Sequence, residues 1–324
     1  MKILITGSSG HLGEALVRVL KNSEHEVVGI DLVPSNYTDA VGSIDDRAFV
    51  KKHMQGVDVV LHPATLHKPH VVTHTKQDFV DTNITGTLHL LEEALLAGVR
   101  SFVFTSTTST FGDALNTPAK AVWVTEELVP SPKNIYGATK IAAENLCQIF
   151  HRNHQLPCLI LRTSRFFPEE DDKKELRENY SNENIKVNEF LHRRVDVADI
   201  VNAHLLAMEK APEIGFGKYI ISATSPFMEN DLVDLKRNAP AVVEKYFPDF
   251  QKIYAAKNWK MFPRIGRVYV NEKARMELGW EPKYDFKYIL NCLSANKDFR
   301  SPLAQAIGAK GYHEEEFEEG PYPV

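Results

Sequence analysis

Cysteine is scarce in this chain of 324 residues: only Cys147, Cys158 and Cys292 occur, far apart and in no CxxC pair. That usage argues against a disulfide framework or a cysteine zinc site and fits buried, reduced thiols. Long apolar runs are missing too, and none approaches the roughly 18 residues that span a bilayer. Charge of one sign is also lacking. The 38 Lys and Arg against 43 Asp and Glu leave a formal net charge of -5, which offers no electrostatic case for nucleic acid or an anionic membrane as partner. Met1-Lys2 runs directly into Ile3-Leu4-Ile5, so no signal peptide is expected and the chain is expected to be soluble and cytoplasmic. There is no internal repeat and no G-x-S-x-G turn, which removes a hydrolase reading.

What is present is an alternation. Buried strands are predicted at Ile3–Thr6, Val27–Ile30, Val57–Leu61, Phe102–Thr105 and Cys158–Leu161. Helical periodicity fills the gaps at His11–Lys21, Arg47–Met54, Phe79–Ala97 and Tyr136–Arg152. Stacked βα units of this kind make a parallel sheet with right-handed crossovers. The third strand is poorly marked, since only Ala40-Val41 precedes Gly42. After Leu161 the regularity breaks, and the strongly charged Glu169–Glu183 is expected to be a loop or lid. A helix at Val197–Lys210 and a strand at Lys218–Ile221 follow, then a C-terminal third of short helices with Pro and Gly breaks. The acidic tail Glu314–Glu319 is expected to be solvated.

The first chemical signal is the turn Gly7-Ser8-Ser9-Gly10-His11-Leu12-Gly13, between the strand ending at Thr6 and the helix starting near His11. One glycine permits the sharp turn, one lets backbone approach a pyrophosphate, and one lets helix pack on strand. The helix N-terminus then offers free N–H groups to the phosphates. The second strand leads into Asp31, about where an acidic residue binds the adenosine ribose hydroxyls. A carboxylate there repels a 2′-phosphate, and no Arg follows in Leu32-Val33-Pro34-Ser35, so NAD is favoured over NADP. The fold expected is α/β: a Rossmann-type doubly wound parallel sheet over residues 1–167, with 194–223 returning to it. Residues 168–193 and 224–324 are expected to form a smaller C-terminal α/β substrate-binding region.

A second signal is Tyr136-Gly137-Ala138-Thr139-Lys140, a YxxxK pattern at a helix start. One helical turn puts Tyr136 and Lys140 on one face, where an ammonium would lower the phenol's pKa from ~10 towards working pH. Tyr136 can then take a proton from an alcohol or return it to a carbonyl. Upstream, Phe104–Gly112 is rich in hydroxyls, with Ser106, Thr107 and Thr108 all at the strand end.

With the G-x-x-G-x-x-G spacing, the His62-Pro63-Ala64-Thr65 turn and the Asn83-Ile84-Thr85-Gly86-Thr87 segment, the chain resembles the NAD-dependent epimerase/dehydratase family of extended short-chain dehydrogenases/reductases. Resemblance is strong over 1–165, returns at Arg194–Ala207 and at Asn271–Pro282 with its LGW-P phrase, and is thin between. It implies that Lys140 binds the nicotinamide ribose and that Thr107 holds the substrate oxygen, with Ser106 and Thr108 as alternatives in register. It also implies cofactor contacts from Gly7, Ser9, Gly10, His11, Leu12, Gly13 and Asp31, from Ser43 and Ile44 at the adenine, and from Pro63, Ala64, Thr65, Thr105 and Thr163. Ser43 stands where the family has an aspartate. Asn83 is expected to brace helix and loop. His67, His70 and His74 lack an acidic or cysteine partner, so no metal is expected; His67 or His70 is instead expected on the rim of the nicotinamide pocket, against substrate.

Departures from the family pattern bear on the substrate. Thr107-Thr108 replaces the Asp-Glu pair of dehydratases, and eliminating water needs an acid and a base. Arg165 stands at the Asn of the R-x-x-N phrase, where it either meets a carboxylate or phosphate or pairs with Glu169, Glu170 or Asp171. Asn188–Arg194 is short and lacks a G-x-G-x-x-R phrase; Arg193 or Arg194 either meets an anion or forms a structural ion pair. The expected activity is hydride transfer at a secondary alcohol or ketone of a sugar-like compound, neutral or anionic. Nucleotide-sugar 4-epimerisation without net redox and a non-catalytic NAD(H)-sensing role are the alternatives. A homodimer is expected through helices Thr82–Ala97 and Tyr136–Arg152, using Leu88, Leu91, Leu95, Ile141, Leu146 and Ile149.

Overall fold

Seven parallel strands form the central sheet of the computed structural model, which describes residues 1–311 together with Phe317 and Gly320. The acidic tail Glu314–Glu319 therefore lies outside the described residues except for Phe317. In chain order the strands are β1 (Lys2–Thr6), β2 (Glu26–Asp31), β3 (Ala40–Val41), β4 (Val59–His62), β5 (Ser101–Thr107), β6 (Val122–Val124), β7 (Cys158–Thr163), β8 (Phe216–Ile221) and β9 (Arg267–Tyr269). The sheet runs β3-β2-β1-β4-β5-β7-β8, and β6 pairs separately with β9. Strand order reverses between β1 and β4, and the crevice outside the carboxyl ends there is where such sheets bind ligands.

β5 extends two residues past its expected end because its ladder with β7 continues through Thr107↔Thr163. Ser106 and Thr107 thus belong to a fully buried strand. The helical stretch expected from Phe79 begins at Lys76, behind a Thr75 capping box, and carries a π-helical turn at Asp81–Thr85. Asn83 sits in that turn and is buried; wide turns of this type re-aim a side chain that a regular helix would direct elsewhere.

Glu169–Glu183 is not a continuous loop. It holds a helix at Lys174–Asn179 and the start of another at Asn182–Phe190, capped by Ser181. The shorter helix buries none of its residues, so its apolar periodicity is weak and charge masks it.

Two apolar clusters cover the faces of the sheet. One joins Leu12 and Leu16 of the first helix to Val197, Ile200 and Ala207. The other joins Leu90, Leu91, Ala143 and Phe150 to Leu4, Phe102 and Phe104. A third gathers Phe190, Leu235, Val243, Phe250, Tyr254 and Phe286 from the C-terminal region. The clusters cross the expected division: Ala274, Leu278 and Trp280 pack under the sheet, Ala121 joins the C-terminal cluster, and Tyr269 packs with Phe111, Val124 and Ile220. Leu91 is wholly buried in the core and cannot serve a seam between copies, whereas Leu96 and Ile149 are exposed. Among the described residues no helix is long and apolar enough to cross a membrane.

Candidate active site

The crevice at the switch point is a cavity of about 750 Å³. It is lined by Gly7, Ser9, Gly10, His11, Leu12, Gly13, Asp31, Ser43, Ile44, Pro63, Ala64, Thr65, His67, Thr105, Ser106, Thr107, Thr108, Tyr136, Thr163 and Arg165. Two expected residues, Lys140 and Arg194, do not line it.

The three glycines of the turn meet different steric demands. Gly7 has φ +65°, and a Cβ there would lie 2.8 Å from the Cα of Ala64. A Cβ on Gly13 would lie 1.8 Å from the Gly7 carbonyl oxygen, so the helix packs directly on the turn. At Gly10 the nearest atom is 3.3 Å away. Gly10 is also the N-cap of helix His11–Leu20 and makes no side-chain cap bond, which leaves that helix end open to the cavity. Asp31 accepts the Ser9 N–H at 2.9 Å on one oxygen and the Val33 N–H at 2.9 Å on the other. Each oxygen keeps a lone pair for a further donor. The open helix end, the glycine cradle and this half-used carboxylate fit a dinucleotide.

The loop after β4 is held by Asn83. Its carbonyl oxygen accepts from Thr65 Oγ1 and Leu66 N–H, both at 2.9 Å, and its amide donates to Leu66 O at 2.9 Å and Thr139 Oγ1 at 3.0 Å. It braces loop against helix from behind the lining residues Thr65 and Leu66 and does not itself line the cavity.

Three hydroxyls at the end of β5 have different partners. Ser106 donates to Glu144 Oε1 at 2.6 Å, away from Tyr136. Thr105 Oγ1 lies 2.8 Å from His204 Nε2, while His204 Nδ1 lies 2.8 Å from Ile200 O. With Nδ1 as donor to the carbonyl, Thr105 is the donor to Nε2. Thr107 lines the cavity with Tyr136, near enough to act on its phenol, and accepts the Ser109 N–H at 3.1 Å. Thr108 is buried at the cavity wall.

Tyr136 sits at the start of helix Ile135–His154, whose N-cap Asn134 accepts the Gly137 N–H at 3.1 Å. Burial pushes its phenol up to about 12, and the Thr107 hydroxyl acts against that rise. The expected lowering by Lys140 is absent among the described residues. Lys140 lies on the same face but is 1% exposed, and its ammonium nitrogen sits 4.0 Å from the Phe104 ring centroid. Burial brings the lysine down to about 7, opposed by the Glu144 carboxylate. One further turn along, Glu144 accepts Arg162 on both oxygens, at 2.9 and 2.7 Å, with Lys218 at 3.5 Å. Although burial alone would raise it, these cations hold the Glu144 carboxyl below its ordinary range. The four-residue spacing Tyr136, Lys140, Glu144 puts this carboxylate on the same helical face and is its signal in the sequence.

The far end of the cavity is charged. Arg165 pairs with Asp171, with Asp172 at 3.2 Å and with Glu189 at 2.9 Å, so it takes the ion-pair alternative, with Glu189 and Asp172 in place of Glu169 and Glu170. Arg193 lies 2.6 Å from Glu189. Arg194 is buried, 2.8 Å from Glu189, and donates to Phe167 O at 2.9 Å; it is a structural residue and not a cavity contact. Burial would raise the Glu189 carboxyl, but Arg165, Arg193 and Arg194 hold it well below its ordinary range. Lys68 reaches across to Asp172 at 2.5 Å. His67 stacks on Phe167 with ring centroids 5.4 Å apart and meets His70 edge-on at 4.5 Å. Among the described residues no cluster of His, Cys, Asp or Glu is arranged to hold a metal. Lys310 and Gly311 also line the cavity, with no local signal in the sequence to mark them.

The chain is similar to known proteins in sequence and in fold. The NAD dependent epimerase/dehydratase family matches residues 3–221. A Bacillus subtilis protein described as an uncharacterized UDP-glucose epimerase is 31% identical over 183 residues, 50% of this chain and 55% of that one. The chain thus spans about half the length of that relative. The UDP-glucose 4-epimerase of Streptomyces lividans is 26% identical over 325 aligned positions, 87% of this chain and 91% of its own. An Agrobacterium tumefaciens short-chain dehydrogenase/reductase superfamily protein, solved with bound NAD, shares the fold at TM-score 0.65 and 24% identity, covering 91% of this chain and 97% of that one. The chain belongs to the NAD dependent epimerase/dehydratase family.

Proposed function

We propose that this protein is an NAD-dependent oxidoreductase or epimerase that moves a hydride at a secondary alcohol or ketone of a sugar-like compound. The carrying observation is that Thr107 and Tyr136 together line a cavity whose other end is the open glycine turn and Asp31. The cofactor, when bound, supplies a positively charged hydride acceptor. Tyr136 Oη exchanges the proton of the substrate oxygen, and Thr107 orients that oxygen. Lys140, protonated in part near neutrality, lies one helical turn from Tyr136 and takes the nicotinamide ribose as its partner. Gly7, Ser9, Gly10, His11, Leu12 and Gly13 hold the pyrophosphate, and Asp31 the adenosine ribose. Ser43, Ile44, Pro63, Ala64, Thr65, Thr105 and Thr163 complete the cofactor wall.

On the substrate side His67 and Thr108 line the reacting end. An anionic group of the substrate is accommodated beyond Arg193. A neighbouring cavity of about 470 Å³ shares Lys173, Arg193 and Arg267 with the first. Arg193 Nε and Arg267 Nε are buried there without a hydrogen-bond partner, and unsatisfied buried donors of this kind are costly unless a ligand pairs them. Residues 168–193 and 224–324 supply most of that wall and form the substrate-binding region. The relatives that act on UDP-sugars favour a nucleotide sugar. Thr107 and Thr108 offer only hydroxyls, which favours epimerisation or dehydrogenation over loss of water. A homodimer through the faces bearing Leu96 and Ile149, and a cytoplasmic location consistent with free thiols at Cys147, Cys158 and Cys292, complete the proposal.

The test is turnover of a panel of UDP-sugars, sugar acids and free sugars, read as product inversion and as absorbance at about 340 nm. Tyr136→Phe is expected to lower kcat by about 10²- to 10⁴-fold with NAD affinity retained. If Tyr136→Phe turned over like the parent, the catalytic reading would fall and the non-catalytic NAD-sensing alternative would replace it.

A further inference from the structure

The segment 308–311 crosses the glycine turn from the far end of the chain. Lys310 Nζ donates to the Ser9 carbonyl at 2.6 Å and lies 2.5 Å from Glu14 Oε2. Ser9 is inside the turn, and Glu14 is in the first turn of the helix that follows it. The backbone N–H groups of Lys310 and Gly311 both donate to Glu169 Oε1, at 2.9 and 3.2 Å. Glu169 also lies 2.8 Å from His11 Nε2. Burial would raise its carboxyl, but His11 and the Lys310 N–H hold it below its ordinary range, so it is ionised at neutral pH. Helix Pro302–Ile307, capped by Ser301, anchors the segment beside the first helix.

Two pieces of chain that are 141 residues apart therefore meet over the turn. Lys310 and Gly311 line the same cavity as Gly10, His11 and Leu12. We propose that segment 308–311 and Glu169 form a strap that retains the dinucleotide between turnovers. The proposal rests on the reading of this cavity as an NAD site and sharpens it. A cofactor that stays bound suits a cycle in which the hydride goes back to the same substrate. A dehydrogenase must instead exchange NADH for NAD each turn, so the strap favours epimerisation.

The Lys310 ammonium holds Ser9 and Glu14, whereas the Glu169 carboxylate holds His11 and the backbone of Lys310 and Gly311, so each set of contacts can be cut separately. The full-length protein, Lys310→Met, Glu169→Gln and Lys310→Arg are loaded with NADH, then mixed with excess NAD while loss of NADH fluorescence is followed. Lys310→Met and Glu169→Gln are expected to release NADH about tenfold faster or more, as loss of charge-assisted bonds implies. Lys310→Arg is expected to retain slow release. The midpoint of thermal unfolding without cofactor should stay within about 3 °C for all three, which separates release from general instability. Release within twofold of the parent in both charge-removing variants overturns the strap while leaving the NAD reading intact. A parent protein that binds neither NAD nor NADH overturns both.

Discussion

At the cofactor end of the cavity the backbone does the shaping, whereas at the substrate end charged side chains do. Gly7 and Gly13 leave no room for a methyl group between turn, helix and β4 loop. Arg165, Arg193 and Arg194 instead converge on the buried carboxylate of Glu189, with the buried Asp171 and with Asp172 as further partners of Arg165. Backbone sterics are short-ranged and insensitive to pH or salt. A buried ionic cluster holds only while every member is present, because each lost partner leaves an uncompensated charge. The first arrangement suits a ligand common to a whole family, and the second allows the substrate end to change by exchanging a few charged residues.

Removing the hub of the ionic cluster should have the largest effect on stability. Glu189→Ala removes the shared carboxylate of three guanidinium groups, leaving Arg165 to Asp171 and Asp172 and Arg194 to the Phe167 carbonyl, and is expected to cost about 3–5 kcal/mol in denaturant unfolding. A loss below about 1 kcal/mol would mean that the arginines find other partners and that charge does not organise this end.

Next in size is the steric test of the turn. Gly13→Ala places a Cβ against the Gly7 carbonyl oxygen. It is expected to weaken NAD binding at least about tenfold by calorimetry, with about 1–3 kcal/mol of lost stability from overpacking. Unchanged NAD affinity would show that the helix can slide, and the contrast between the two ends would lose its rigid half.

The last test is a pH dependence at Lys140, between the two ends. Its value of about 7 in the folded protein lies below the ordinary 10.5. Below about pH 7 the native state carries a buried ammonium, and as pH rises from about 7 to 10.5 it sheds that proton before the unfolded chain does. Stability from this residue therefore rises across that window. Lys140→Met should be more stable than the parent at about pH 6.5, with the gain shrinking by about pH 9.5. A gain independent of pH in thermal melts would place the ammonium in a wetter setting than its 1% exposure implies.

Legibility followed the same division. The βα alternation, the glycine turn, Asp31 and the YxxxK helix were visible because strand and helix periods and turn sterics depend on residues close in sequence. The helix at Lys174–Asn179 was not, since it buries no residue and has no apolar stripe to read. Nor was the choice among Ser106, Thr107 and Thr108. That depended on Glu144 drawing Ser106 to one side and on Thr107 meeting Tyr136 on the other. Arg165 was read with both of its alternatives, and Asp171, Asp172 and Glu189 decided between them.

The sequence by itself determined the parallel sheet, the dinucleotide turn and a Tyr–Lys pair on one helical face. Each is a property of a few neighbouring residues and of the steric rules of the backbone. Only the tertiary structure decided that the ammonium of Lys140 lies against Phe104 and leaves Tyr136 to Thr107, that Arg194 is structural, and that Lys310 reaches Ser9 across 301 residues. The physical reason is range: charge and burial act on whatever the fold brings within a few ångströms, and those neighbours are distant in the chain.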